Sequence, residues 1–202
     1  PPRLFSLTTK MYAYFGANRQ INRSLLKNFK RCCKMSMSSE RKEYLRRSAL
    51  YMPSSNARAL EKAKTIDADV FIFDLEDAVA PDAKLDARKR AINAANEHRE
   101  KRLYGRSEIV IRVNGIGTPW FLDDVKAVSE SGADAILLPK TNNADDVRTL
   151  QNHMSSSSNL DIWCMIETPL GVFNALDIAA FEKVSCLCMG TVDLSNDLRC
   201  NP

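Results

Sequence analysis

Six short runs of continuous apolar residues alternate with segments of helical periodicity between residues 48 and 194. The runs are SALYMP, DVFIFDLED, SEIVIRVNG, ADAILLPK, LDIWCMIET and VSCLCMGTVDL. Their interiors are apolar throughout rather than at every second position, the pattern of strands covered on both faces of a sheet. Between them lie five amphipathic segments. Residues 55–66 place Leu60, Ala63 and Ile66 on one side, and 82–100 place Leu85, Ile92 and Ala95 inward. Segments 120–131 and 143–154 follow, then 169–181, with Pro169 in a first turn where its missing N–H costs nothing. Strict alternation of six strands and five helices predicts an α/β fold with a parallel sheet and crossover helices.

The ends of the runs narrow the choice of fold. The second run closes on Asp74, Glu76 and Asp77, the third on Arg112 and Asn114, the fourth on Lys140, the fifth on Glu167 and the sixth at Asp193. From Asn114 onward these residues recur at intervals of 26 or 27. An open doubly wound sheet uses only the strand ends near its switch point, whereas a barrel gathers every end at one mouth. Polar residues on five of six ends therefore predict a TIM (β/α)8-type barrel. About six of eight strand–helix units fit, so residues 40–202 are expected to be the N-terminal part of a barrel, with an open variant as the alternative.

Charge divides the chain. Residues 1–39 hold eight Lys or Arg and no Asp or Glu, which leaves 40–202 with 21 basic and 25 acidic residues. That mildly acidic body argues against a nucleic-acid surface, and no apolar run approaches the ~18–20 residues of a membrane helix. Residues 1–39 are acid-free and rich in Arg and Ser, and Leu25, Leu26 and Phe29 can share one helical face. This composition predicts a mitochondrial transit peptide and a matrix location; a disordered basic leader that contacts RNA or acidic lipid is the alternative.

The six cysteines include no C-x-x-C pair, and both histidines, His98 and His153, lie in polar helical segments, which argues against zinc. Cys186 and Cys188 flank Leu187 and share one strand face, where buried free thiols are expected. Glu167 and Asp193 are predicted to end neighbouring strands, whose axes lie ~4.8 Å apart. Carboxylates that close repel unless a proton or cation intervenes. Mg2+ suits them, since it takes oxygen ligands and often only one or two protein carboxylates. Separate ion pairs with Arg112 or Lys140 are the alternative. No G-x-S-x-G, G-x-G-x-x-G or P-loop is present.

Six ordered motifs, RRSALYMPSSNARALEKA, FDLEDAVAPDAK, IRVNG, AILLPK, MIETPLGV and MGTVDLSNDL, resemble those of the citrate lyase β-subunit-like proteins of the HpcH/HpaI aldolase superfamily. The resemblance covers about Arg46 to Arg199. It implies a (β/α)8 barrel, usually a homo-oligomeric trimer, that makes or breaks a carbon–carbon bond in a short acyl-CoA such as citramalyl-CoA or malyl-CoA. It implies Mg2+, for which Mn2+ can substitute, held by Glu167 and Asp193. Arg112 would be the catalytic cation on the substrate's carboxylate or thioester oxygen. Tyr51, Arg58 and Lys62 would lie along the CoA arm, although a core position explains Tyr51 and a solvated helix face explains the other two. Asp74, Glu76, Asp77 and Lys140 would order the mouth. Such proteins complete the site with a carboxyl-terminal segment, often from a neighbouring subunit. The alternative function is therefore an inactive product that binds CoA esters or pairs with full-length subunits.

Overall fold

The computed structural model describes residues 46–200. The expected leader, 1–39, lies outside them. The strands are β1 (Ala49–Pro53), β2 (Val70–Asp74), β3 (Glu108–Arg112), β4 (Ala135–Leu138), β5 (Asp161–Ile166) and β6 (Val184–Met189). The helices are α1 (Ala57–Ala63), α2 (Lys84–Lys101), α3 (Phe121–Ser129), α4 (Ala144–His153), α5 (Pro169–Phe173), α6 (Ala175–Ala179) and α7 (Thr191–Leu198). The strands form one parallel sheet in the order β1-β2-β3-β4-β5-β6. Consecutive parallel neighbours joined by helices are the (β/α)-barrel plan, present here in six units.

The four central strands, β2 to β5, bury both faces, as the apolar runs require, whereas β1 and β6 are partly exposed. On the helix side, Phe71, Phe73, Ile109, Ile111, Ile136, Leu138, Ile162 and Cys164 belong to the large core. On the inner side, Val70, Ile72, Val110, Leu137, Trp163 and Met165 form a second cluster, joined by Cys186 and Cys188. The strand period of two then fixes what the next inward position is. After Val70 and Ile72 it is Asp74, after Val110 it is Arg112, and after Met165 it is Glu167. The site is therefore the polar top layer of the inner core. At the opposite end, Arg46 forks onto Glu108 (2.7 and 2.8 Å) and lies 4.6 Å from the Trp163 ring centroid.

Three local expectations need correction. The sixth run does not continue as a strand to Asp193: β6 stops at Met189, and Thr191–Leu198 is a helix. Thr191 and Val192 are β-branched and read as strand, but Gly190 breaks the strand and Asp193 sits in the first helical turn, where its charge faces the positive end of the helix dipole. The segment 169–181 is two short helices, because Asn174 at φ −98°, ψ 6° ends one and begins the next. Leu85 is 56% exposed rather than inward. Helix α2 instead buries an alanine stripe, Ala87, Ala91 and Ala95, together with Lys84 and Arg88, whose polar ends reach partners under the loops.

Candidate active site

Asp74 and Arg112 are register partners on β2 and β3, so their inward side chains meet. Arg112 donates from Nε to Asp74 Oδ1 (2.7 Å) and from Nη2 to Asp74 Oδ2 (2.8 Å). The same carboxylate accepts from the backbone N–H groups of Glu76 (2.9 Å) and Ala78 (3.0 Å), which folds the post-β2 loop back over the strand end. Burial pushes Asp74 up, but the Arg112 hydrogen bonds and charge outweigh it and hold the carboxyl below its ordinary range. Tyr51, inward on β1, places its ring centroid 5.2 Å from the guanidinium carbon. Burial pushes its phenol up to about 12.

Glu76 reaches the same guanidinium. Its Oε2 lies 2.9 Å from Arg112 Nη1, yet no directed hydrogen bond reaches that buried oxygen; the contact is one of charge, not of alignment. Glu76 Oε1 accepts from Lys140 Nζ at 2.9 Å. Burial raises the Glu76 carboxyl above its ordinary value, against the pull of Lys140 and Arg112. Asp77 is more exposed, 3.7 Å from Arg112 Nη1 and 3.9 Å from Lys140 Nζ.

Lys140 follows β4 in the left-handed region, at φ +49°, a conformation that costs a non-glycine residue energy and recurs at functional sites. There its backbone N–H donates to Glu167 Oε1 (2.7 Å), while Nζ lies 3.7 Å from Asp193 Oδ2. Glu167 is 3% exposed, and burial, with the nearby charges of Glu76 and Asp193, raises its carboxyl above the ordinary value. Gly190 makes room for it: a Cβ there would stand 2.5 Å from Glu167 Cβ and 2.6 Å from Oε2. Helix α7 then carries Asp193 back toward Lys140. Asp193 thus reaches the mouth from a helix, not from a strand end.

A cleft of about 620 Å3 opens beside this cluster, lined among others by Glu76, Asp77, Lys140, Asn114, Ile116 and Trp120. Lys84 closes its floor, donating to Leu75 O, Glu76 O and Asn114 Oδ1 at 2.6–2.7 Å. Asn114 in turn donates to Asp124 Oδ2 (2.6 Å), and Asp124 receives Arg88. Lys84, Arg88 and Asp124 went unassigned in the sequence because each sits inside a helical run that looks like a solvated face. Gly190 was also missed, and its signal was a glycine wedged between a strand and a carboxylate. Arg58 and Lys62 lie on the exposed face of α1, outside the cluster.

Five carboxylates (Asp74, Glu76, Asp77, Glu167 and Asp193) share two cations, Arg112 and Lys140. The excess negative charge, the buried Glu76 oxygen without a directed donor and the all-oxygen donor set fit a hard divalent cation of the Mg2+ type. Among the described residues no group of three or more His, Cys, Asp or Glu converges on a metal position. Glu167 and Asp193 would hold the ion with water filling the remaining positions, the usual arrangement for Mg2+.

Parallel strands delivering acidic and basic side chains to one carboxyl-end mouth define a barrel enzyme class. The chain belongs to the HpcH/HpaI aldolase/citrate lyase family, whose model matches residues 47–201. It is 45% identical over 155 residues to a (3S)-malyl-CoA thioesterase of Cereibacter sphaeroides, covering 75% of this chain and 51% of that protein. It is 34% identical over 169 residues to citrate lyase subunit beta of Escherichia coli, covering 79% and 55%. Among solved structures, CitE from Mycobacterium tuberculosis in complex with magnesium, acetoacetate and coenzyme A superposes with a TM-score of 0.62 at 28% identity, over 78% of this chain and 54% of that one. The chain spans about half the length of the curated relatives it matches.

Proposed function

We propose that the protein acts as a Mg2+-dependent carbon–carbon lyase on a short 3-hydroxyacyl-CoA thioester of the citramalyl-CoA or malyl-CoA kind, giving acetyl-CoA and a 2-oxo acid. The observation that carries this reading is the mouth itself, where Glu167 and Asp193 flank Lys140 while Arg112 stands fixed opposite. The malyl-CoA relative and the coenzyme A in the CitE complex support an acyl-CoA substrate. When bound, a divalent cation lowers the pKa of a hydroxyl beside a carboxylate and orients the bond to be broken. Loss of the hydroxyl proton lets the carbon–carbon bond break, leaving the 2-oxo acid and the enolate of the acyl-CoA. Arg112 supplies positive charge where that enolate develops. Asp74 locks its guanidinium plane and Tyr51 stacks on it, so little reorganisation is needed as charge builds. Lys140, free to exchange Glu76 for a substrate carboxylate, positions the acid end. The family resemblance assigns the CoA arm to Tyr51 and to the exposed Arg58 and Lys62 of α1.

The acid-free basic leader supports a mitochondrial matrix location, and family resemblance supports a homo-oligomer. A thioesterase reading is favoured by the 45% identical relative, and a non-catalytic CoA-ester binder remains its alternative. One experiment separates them: incubate the full chain with malyl-CoA or citramalyl-CoA and Mg2+, and assay 2-oxo acid and free CoA thiol separately. Metal-dependent 2-oxo acid without thiol, lost in Glu167→Ala, supports the lyase. Thiol without 2-oxo acid supports the thioesterase, and neither product supports the binder.

A further inference from the structure

Cys186 and Cys188 lie on the inward face of β6, in the layer below the carboxylate mouth, where Cys188 pairs with Met165. A bulge puts them there: Ile162 pairs with Val184 but Trp163 pairs with Cys186, so Ser185 is the extra residue, and Met165 then pairs with Cys188. Both thiols join the inner cluster, and both are half-buried. Residues two apart on a strand have Cα atoms ~6.6 Å apart, yet these sulfurs are 3.9 Å apart, so both side chains lean toward each other. A disulfide is poorly served, because ~6.6 Å is the upper end of the Cα separation it tolerates.

We propose that Cys186 and Cys188 form a two-thiolate site for a soft monovalent metal ion of the Cu(I) class. With metal–sulfur bonds of ~2.3 Å, two thiolates stand ~4.0 Å apart around a three-coordinate ion and ~4.6 Å apart around a linear one. The observed 3.9 Å is close to the first spacing, and an opening of ~0.7 Å reaches the second, which needs no third ligand. Thiolate ligands select Cu(I); Met165, beside Cys188 in the ladder, turns its sulfur to Arg112 Nη1 at 3.9 Å and is not counted as a ligand. Zinc requires four ligands, and no group of three His, Cys, Asp or Glu assembles among the described residues. Binding is an exchange of two thiol protons for one Cu(I), which leaves a dithiolate complex of charge −1. The Cys188 hydrogen bond and then the Arg46 charge lower Cys186 below its ordinary value, while the same hydrogen bond and burial raise Cys188, so the second proton leaves only on metal binding. Cys164, one residue before Met165, points to the helix side, where burial pushes its thiol up to about 12.

The test uses the full chain with Cys32→Ser and Cys33→Ser, which removes the other neighbouring pair of thiols. Reduced anaerobic protein is titrated with Cu(I) against bathocuproine disulfonate. About one equivalent per chain is expected to be withheld from the chelator, lost in Cys186→Ser and in Cys188→Ser, and kept in Cys200→Ser. No withheld equivalent, or one retained by the Cys186→Ser/Cys188→Ser double variant, overturns the proposal. A check independent of variant folding uses the same parent chain and phenylarsine oxide, which condenses with two adjacent thiols, forming two As–S bonds and releasing one water. Peptide mass spectrometry is expected to find one arsenical bridging Cys186 and Cys188; its absence from that peptide overturns the proposal.

Discussion

Asp74 answers for four hydrogen bonds, two from Arg112 and two from the loop above it. With Asp74 1% and Arg112 8% exposed, Asp74→Asn leaves a buried guanidinium short of its counter-charge. The expected loss is ~3–5 kcal/mol, read from urea unfolding. The pH dependence has two opposite parts. Asp74 is held low, so its contribution is full above the ordinary carboxylate pKa of ~3.9 and is lost as pH falls through the depressed value. Glu76 and Glu167 are raised by burial, so each favours the fold while protonated, and that contribution is lost as pH rises through the raised values. Glu167→Gln in EDTA is therefore expected to raise Tm at neutral pH and to leave it unchanged below ~pH 4, measured by scanning calorimetry. An equal shift at both pH values would show that Glu167 carries no charge penalty. These residues were legible because each ends an apolar run, and a polar side chain at the last inward position has few structural uses. Their pairing was not legible, since register, which sets Asp74 against Arg112, is fixed by packing distant in sequence.

Helix α7 shows how an element can be misread while the polar residue it carries still reaches the mouth. The interval of 26 residues pointed to Asp193, which lies 3.7 Å from Lys140 Nζ, but the β-branched Thr191 and Val192 hid the helix that brings it there. Gly190 is the hinge between β6 and α7, and its empty side is filled by Glu167. Gly190→Ala is expected to keep far-UV dichroism while abolishing the rise in Tm that Mg2+ confers through native-state binding. A full metal shift in that variant would mean that Glu167 is not a ligand in this position. The helix after Glu167 is set more locally. Thr168 Oγ1 accepts from Gly171 N–H (3.1 Å) and donates to Asn142 Oδ1 (2.5 Å). Thr168→Ala should cost about 1 kcal/mol as a lost cap, and Thr168→Ser should recover most of it, both read from denaturant midpoints. Pro169 at the head of this segment made its start readable, whereas the break at Asn174 depends on a backbone angle no side chain announces.

At the scale of the molecule, alternation and apolar runs disclosed the parallel sheet, but curvature and closure are properties of the whole strand set. Within the described residues β1 and β6 are edges, each paired on one side only. Leu50 and Tyr51 are exposed on the first edge and Leu187 and Met189 on the second, with Phe173 (86% exposed) and Val192 nearby in sequence. Unpaired edge strands template pairing with other chains, and apolar side chains beside them add a hydrophobic contribution of ~25 cal/mol per Å2 covered. The body's excess of acidic over basic residues is only four, too small to oppose association at physiological salt, where charges separated by more than ~8 Å are screened. The chain is therefore expected to self-associate, with a sedimentation coefficient that rises with concentration. Met189→Lys on β6 together with Phe173→Lys on α5 places charge at two exposed positions outside both cores and should restore concentration independence with Tm little changed. Association that survives both substitutions would move the contact to the β1 edge, where Tyr51→Lys is the corresponding test. Since the Tyr51 ring lies 5.2 Å from the Arg112 guanidinium, that variant alone should also reduce the proposed lyase activity.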